Sequence, residues 1–132
     1  MASTTTPPQP TGPYKLITVN TAPDRARRLI GRVVEDVKEQ YTILHVANVA
    51  TNMDISSSSA IEEVQAAVEE NQPDVLFTAS MWTPEESGRI IAIAKGVIPG
   101  LKTFSLPQGL QVDKGPDAVV EYIKENLPSL LG

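Results

Sequence analysis

PDVLFTASMWTPEESG, residues 73–88, reads as a buried strand, a short turn and the start of a helix. The uncharged run VLFT, residues 75–78, is typical of a parallel strand that is covered on both faces. Thr83 and Glu86, with a proline next to the threonine, predict a helix that begins with a capping box. Residues 79–82, ASMW, therefore follow the carboxyl end of a strand, which is where ligands bind in open α/β sheets.

The order of a strand followed by a helix recurs on both sides of this stretch. Strands that alternate with helices imply parallel pairing, because each helix then forms a right-handed crossover. We therefore predict an α/β three-layer sandwich of the flavodoxin-like kind, a (βα)4 chain with a four-stranded parallel sheet in the order 2-1-3-4. The predicted strands are residues 14–19, 41–46, 75–78 and 101–106, and the predicted helices begin near Pro23, Ser59, Pro84 and Gly115, the last of them ending at Pro128.

Composition and charge exclude several classes of protein. The net charge of −5 at pH 7 argues against nucleic-acid binding, which depends on a basic face. The absence of cysteine excludes disulfides and thiolate sites. The chain has no apolar run long enough to cross a membrane and no signal-peptide pattern, so we expect a soluble, cytoplasmic protein without membrane contact. Residues 1–13, rich in Thr and Pro, are predicted to be a disordered tail before a single domain of residues 14–132.

The loops after the four predicted strands are expected to meet, because the carboxyl ends of parallel strands lie at one edge of the sheet. The helices that begin there present free N–H groups, which favour an anion such as a phosphate or a carboxylate. Ordinary caps and turns would use the same residues, and both interpretations stay open. The candidate ligand-binding residues are Asn20, Thr21, Arg25, Ser80, Trp82, Gln108 and Gly109.

Trp82 is the only tryptophan of the chain and has two interpretations. It would stack on a ligand or anchor a partner if its ring faced the crevice at the strand ends. It would cover the core between helix and sheet if its ring turned inward, since tryptophan is usually mostly buried. The sequence does not decide between the two.

The sequence contains no motif for a cofactor, a metal or a catalytic group. No Gly-rich fingerprint of either nucleotide-binding type is present, which argues against FMN and dinucleotides. His45 is the only histidine and lies within a predicted strand, so a structural role with one ring hydrogen bond is favoured. One histidine and scattered carboxylates also lack the spacing of metal ligands. We therefore predict no cofactor, no metal and no catalytic residue.

Residues 60–88, AIEEVQAAVEENQPDVLFTASMWTPEESG, resemble the second helix, third strand and following loop of response-regulator receiver domains. The strongest motif is PDVLFTA, residues 73–79, which is also similar to other flavodoxin-like proteins, including cobalamin-binding domains. The resemblance implies a flavodoxin-like fold. It places the phospho-accepting aspartate of the family at Ala79 and its magnesium-binding acidic pair near residues 19–21, none of which is acidic. It therefore implies a pseudo-receiver without aspartyl-phosphate chemistry.

Three functions remain open. The first is a non-catalytic regulatory or binding module, which docks a protein partner or a small anionic ligand at the strand ends. The second is an enzyme acting on a small anionic substrate bound by Arg25 or Arg28, and it needs at least two acid, base or nucleophilic side chains at one cavity. The third is a homodimer formed through an exposed apolar face. The candidates for acid, base or nucleophile are Ser80, Asp24 and His45, and those for the dimer face are Ile93, Ile98 and Val120.

Overall fold

A computed structural model gives the fold and describes residues 11–50 and 58–131. The elements are β1 (Thr11–Asn20), α1 (Pro23–Asp36), β2 (Tyr41–Ala50), α2 (Ser58–Asn71), β3 (Val75–Thr78), α3 (Pro84–Val97), β4 (Lys102–Ser105) and α4 (Leu110–Leu131). All strand pairs are parallel, and the sheet order is β2-β1-β3-β4. The predicted α/β three-layer fold with sheet order 2-1-3-4 is therefore confirmed, and it is compatible with a flavodoxin-like fold.

Two hydrophobic clusters cover the two faces of the sheet. Side chains alternate between faces along a strand. Leu16 of β1 therefore packs in the cluster under α1 and α4, here called the α1/α4 core, whereas Ile17 packs in the cluster under α2 and α3, the α2/α3 core. In β3, Phe77 likewise packs in the α1/α4 core and Leu76 in the α2/α3 core. All four residues of β3 are buried, which confirms the prediction of a strand covered on both faces.

Three predicted boundaries in the first half of the chain differ from the structure. β1 begins at Thr11, three residues earlier than the sequence pattern indicates. β2 continues to Ala50, because residues 47–50 pair with the last four residues of β1. The start of α2, predicted near Ser59, lies one residue earlier, since Ser58 already belongs to that helix.

In the second half of the chain, α3 begins at its predicted start, whereas α4 differs from the prediction at both ends. The capping box of α3 is confirmed: Thr83 Oγ1 accepts the N–H of Glu86 at 3.1 Å, and Glu86 Oε1 accepts the N–H of Thr83 at 2.9 Å. The predicted helix start at Gly115 coincides with a kink, because Gly115 has φ 83° and separates a first segment that begins at Leu110. The helix also continues past Pro128 instead of ending there, since leucines on either side of this proline pack in the α1/α4 core.

The predicted dimer face loses one of its three residues. Val120 is 1% exposed and packs in the α1/α4 core, because it lies on the inner side of α4 beside Val119. Ile93 and Ile98 are half-buried and pack against the α2/α3 core. Formation of a homodimer stays a prediction.

The predicted disordered tail falls mainly on residues 1–10, which lie outside the described residues, whereas residues 11–13 belong to β1. Within residues 11–50 and 58–131, no helix has both the length and the apolar character that crossing a membrane requires.

Candidate functional site

A cavity of about 50 Å³ opens at the carboxyl ends of β1 and β3. The chain leaves β1 for β2 on one side and then returns to β3 on the other side, so the strand order reverses between β1 and β3. Such a switch point is where ligands bind in open α/β sheets. One water needs roughly 10–15 Å³ of such space, so this switch-point cavity holds a few waters or a ligand of a few non-hydrogen atoms.

The wall of the switch-point cavity is largely apolar, with polar groups contributed by several elements. Among the described residues, Arg25 is the only ionisable side chain on this wall. Gln111 also lines the cavity, and its Oε1 atom is buried without a hydrogen-bond partner within the described part of the chain. The polar lining residues are Thr18, Asn20, Arg25, Thr78, Ser80 and Gln111. A mainly apolar wall with a few convergent polar groups is typical of small-molecule sites.

Three of the predicted site residues, Asn20, Arg25 and Ser80, line the cavity together. Thr21 is exposed beside it and is not part of the wall. Its backbone N–H and its hydroxyl both donate to Sδ of Met81, at 3.0 and 2.8 Å, and Met81 does line the cavity. This contact joins the loops after β1 and β3 beside the cavity.

Gln108 and Gly109 do not line the cavity. Gln108 is exposed, and the N–H of Gly109 donates to the backbone oxygen of Ser80 at 2.9 Å. Gly109 has φ 85°, a conformation that glycine adopts without strain. The structure therefore gives Gly109 a part in the turn that holds the loop after β4 against the loop after β3.

Trp82 lies in the α2/α3 core, away from the cavity wall. Its side chain is 1% exposed, and its Nε1–H donates to the backbone oxygen of Val19 at 3.0 Å. Of the two interpretations that the sequence leaves open, the structure has the one in which the ring covers the core between helix and sheet.

A chain of hydrogen-bonded polar side chains joins β1 to β2 beside the cavity. The sequence did not indicate that these residues form one unit. This polar chain consists of Asn20, Asn48, Thr18 and His45. Asn20 Nδ2 and Thr18 Oγ1 both donate to Asn48 Oδ1, each at 2.6 Å. Thr18 Oγ1 is also 2.8 Å from Nε2 of His45. At its other end, Asn20 Oδ1 accepts the N–H of Ala22 at 3.0 Å.

The proton positions in the polar chain follow from the backbone N–H of Ala22, which can only donate. It requires Oδ1 of Asn20, so Nδ2 of Asn20 faces Asn48, and the facing atom of Asn48 must be an oxygen. Thr18 donates its single proton to that same oxygen. Thr18 Oγ1 is then an acceptor toward His45, and we infer that His45 carries a proton on Nε2.

A β-bulge puts the polar chain on one face of the sheet. The pairing of β1 with β2 shifts register between His45 and Ala47, which leaves Val46 as an extra residue in β2. Without the shift, strand alternation would place His45 and Asn48 on opposite faces. The bulge brings both to the face of Thr18, in the way that bulges re-aim side chains near functional sites. An asparagine and a histidine in an apolar strand were the only sequence signal.

The pKa of His45 is lowered from the ordinary 6.5, first by burial and then by the positive charge of Arg27, and a backbone hydrogen bond to Ala47 opposes this only in part. His45 is therefore mainly neutral at pH 7. The folded state binds this proton less readily than the unfolded state does, so the neutral ring stabilises the fold above pH 6.5.

We therefore expect the free energy of unfolding to fall as the pH drops from 6.5 through the lower folded-state pKa of His45. Urea denaturation at a series of pH values would measure this for the wild type and for His45→Gln, which keeps an N–H donor toward Thr18. Carboxylates titrate equally in both proteins, so the difference between the two curves isolates His45. Parallel curves through this range would contradict the lowered pKa.

The three candidates for acid, base or nucleophile are not brought together. Ser80 lines the cavity, but Asp24 is exposed and its Oδ1 lies 3.3 Å from Nη1 of Arg27. His45 is bonded to Thr18 and is not a lining residue. Within residues 11–50 and 58–131, no cluster of three or more His, Asp or Glu side chains could hold a metal ion.

Neither the protein-family models nor the curated proteins contain a match to this chain. Fold and site by themselves define it as a parallel α/β domain with a small, mainly apolar cavity at its switch point.

Proposed function

We propose that the chain is a non-catalytic ligand-binding module that holds a small anionic ligand in the switch-point cavity. The observation that carries this proposal is Arg25, the only ionisable side chain on the described wall of a cavity that lies where α/β sheets bind ligands. A guanidinium group binds planar anions through two parallel hydrogen bonds. The ligand would approach it from the cavity.

Arg25 is available for such a ligand. Among the described residues it forms no ion pair, whereas two other arginines of α1 do. Nη1 of Arg27 lies 3.3 Å from Oδ1 of Asp24. Nη2 of Arg32 lies 2.7 Å from Oδ1 of Asp117. Arg25 also lies in the first turn of α1, where the positive end of the helix dipole adds to the attraction for an anion.

The receiver resemblance supports a regulatory role for this module. Ala79 stands where a receiver would carry its phospho-accepting aspartate, and Ala79 lines the cavity. In this pseudo-receiver, occupation of the cavity by a ligand would take the place of phosphorylation. A protein partner would then read the loops after β1 and β3, which Thr21 and Met81 join.

The proposal is tested by titrating the 15N-labelled protein with inorganic phosphate and following the backbone amide of Ser80 and the side-chain amide of Asn20. Arg25→Gln should weaken binding by about tenfold or more, because a hydrogen bond to a charged group contributes about 1.5–3 kcal/mol. Arg28→Gln is the matched control, since Arg28 is exposed on the same helix and does not line the cavity.

Two results would contradict the proposal. In the first, neither Ser80 nor Asn20 responds to phosphate or to any other small anion. In the second, Arg25→Gln and Arg28→Gln weaken binding equally, which would mean that the anion is attracted by the overall charge of α1 and not held at the cavity.

A further inference from the structure

We propose, resting on the proposed function, that the ligand is a small carboxylate with a short apolar body and not a fully hydrated inorganic anion. The cavity wall offers one charge and a much larger apolar surface. Its apolar residues include Leu29, Ile30, Phe77, Leu106, Val119 and Ile123. An anion without a carbon body would leave this surface in contact with water.

Exposure along the wall gives the ligand a direction. Arg25 is exposed, so the charged end of the cavity is its mouth. Phe77 and Ile30 are each 4% exposed and Ile123 is 1% exposed, so apolar side chains line the inner part of the cavity, together with the buried polar residues Thr18, Asn20 and Thr78. A carboxylate at Arg25 would therefore place its hydrocarbon part inward, where burial of apolar surface favours binding.

Helix α1 presents a charged side chain and an apolar side chain to the cavity from the same face. Arg25 and Leu29 are four residues apart and therefore neighbours on the helix surface, and both line the cavity. Ala26, between Arg25 and Leu29 in the sequence, and Ala22, the N-cap residue of α1, also line the cavity with small side chains. The volume of about 50 Å³ limits the ligand to a few carbon atoms.

The test separates charge from apolar body with three probes on the unmodified protein. Isobutyrate has both, formate has the carboxylate alone, and isobutyramide has the body alone. Isobutyrate should bind at least about tenfold tighter than either of the others, because each buried methylene contributes about fourfold to affinity. Binding is followed through the amide signals of Ser80 and Gln111, and Arg25→Gln should abolish the preference for isobutyrate over isobutyramide.

A second variant probes the cavity itself. Ala26→Leu should fill the mouth and weaken isobutyrate at least as much as Arg25→Gln does, while Arg28→Gln leaves its affinity unchanged. If formate binds at the cavity as tightly as isobutyrate, the carboxylate-with-body proposal is overturned and the proposed anion site stands. If no anion perturbs Ser80 or Gln111, both proposals fail. The comparison of the three probes needs no variant, so it tests the carboxylate-with-body proposal even if Ala26→Leu does not fold.

Discussion

Replacing Trp82 by alanine is expected to lower the free energy of unfolding by about 3–5 kcal/mol, the range typical of a buried aromatic side chain that is lost from a core. Trp82 is 1% exposed and is the largest of the fully buried side chains in the described part of the molecule. Its removal leaves a cavity in the α2/α3 core and deletes the hydrogen bond from Nε1 to the oxygen of Val19.

Trp82→Phe is the matched control, because it keeps most of the ring and removes the indole N–H. Val19 still accepts the N–H of Ala79 at 3.3 Å, so its carbonyl oxygen retains a partner. We therefore expect a loss of about 1–2 kcal/mol for this variant. Urea denaturation followed by circular dichroism measures the loss of stability in both variants, since each lacks the single tryptophan that a fluorescence measurement would follow. A loss below about 1 kcal/mol for Trp82→Ala would contradict its place in the core.

The position of Trp82 also explains why its role could not be read from the sequence. The residues before and after it could be assigned, because a run of four uncharged residues predicts a buried strand and a capping box predicts the start of α3. A ring between two such elements turns toward whichever face of the sheet has room for it. That face is determined by the packing of α2 and α3, which local sequence does not contain.

The fold could be predicted because each element carries its own local signal. Alternation of strands and helices requires parallel pairing, and crossover handedness then leaves few sheet orders to consider. This order predicts a crevice at the strand ends, and Asn20, Arg25 and Ser80 line the cavity there because they lie at or just after the carboxyl ends of β1 and β3. Gln111 also lines the cavity, but on the first segment of α4, which was predicted to be a loop.

The polar chain could not be predicted, because it depends on a bulge. One extra residue in β2 decides whether His45 and Asn48 share a face, and nothing in the apolar sequence around Val46 indicates where that residue is inserted. Alternation without a bulge separates the two side chains. The register between strands is a property of the assembled sheet, so the sequence of β2 alone does not determine it.

Asn20→Ala is expected to lower the free energy of unfolding by about 2–3 kcal/mol, because it leaves polar groups in the interior without partners. Asn20 is 2% exposed, and it is the acceptor for the N–H of Ala22 and a donor to Asn48. Thr21→Val, at the next residue, is the control, since Thr21 has no part in the polar chain and is exposed. An equal loss in both variants, measured by urea denaturation, would mean that the polar chain contributes nothing specific.

Asn20→Asp gives a sharper test, because a carboxylate can only accept. The N–H of Ala22 keeps its acceptor, but the other carboxylate oxygen then faces Oδ1 of Asn48, an atom pair that lies 2.6 Å apart in the wild type as donor and acceptor. The amide of Asn48 should turn over and present Nδ2. Thr18 then accepts from Asn48 and donates its own proton to Nε2 of His45.

The expected result of Asn20→Asp is therefore a change of tautomer three hydrogen bonds away, from Nε2–H to Nδ1–H on His45. Because His45 is the only histidine, 15N spectra of its ring, recorded well above pH 6.5 where the neutral form dominates, report the tautomer without ambiguity. Thr21→Val should leave Nε2–H unchanged. A wild-type ring already protonated on Nδ1 would show that the donor order from Ala22 to His45 is wrong. An unchanged tautomer in Asn20→Asp would show that the polar chain does not transmit the change at residue 20 to His45.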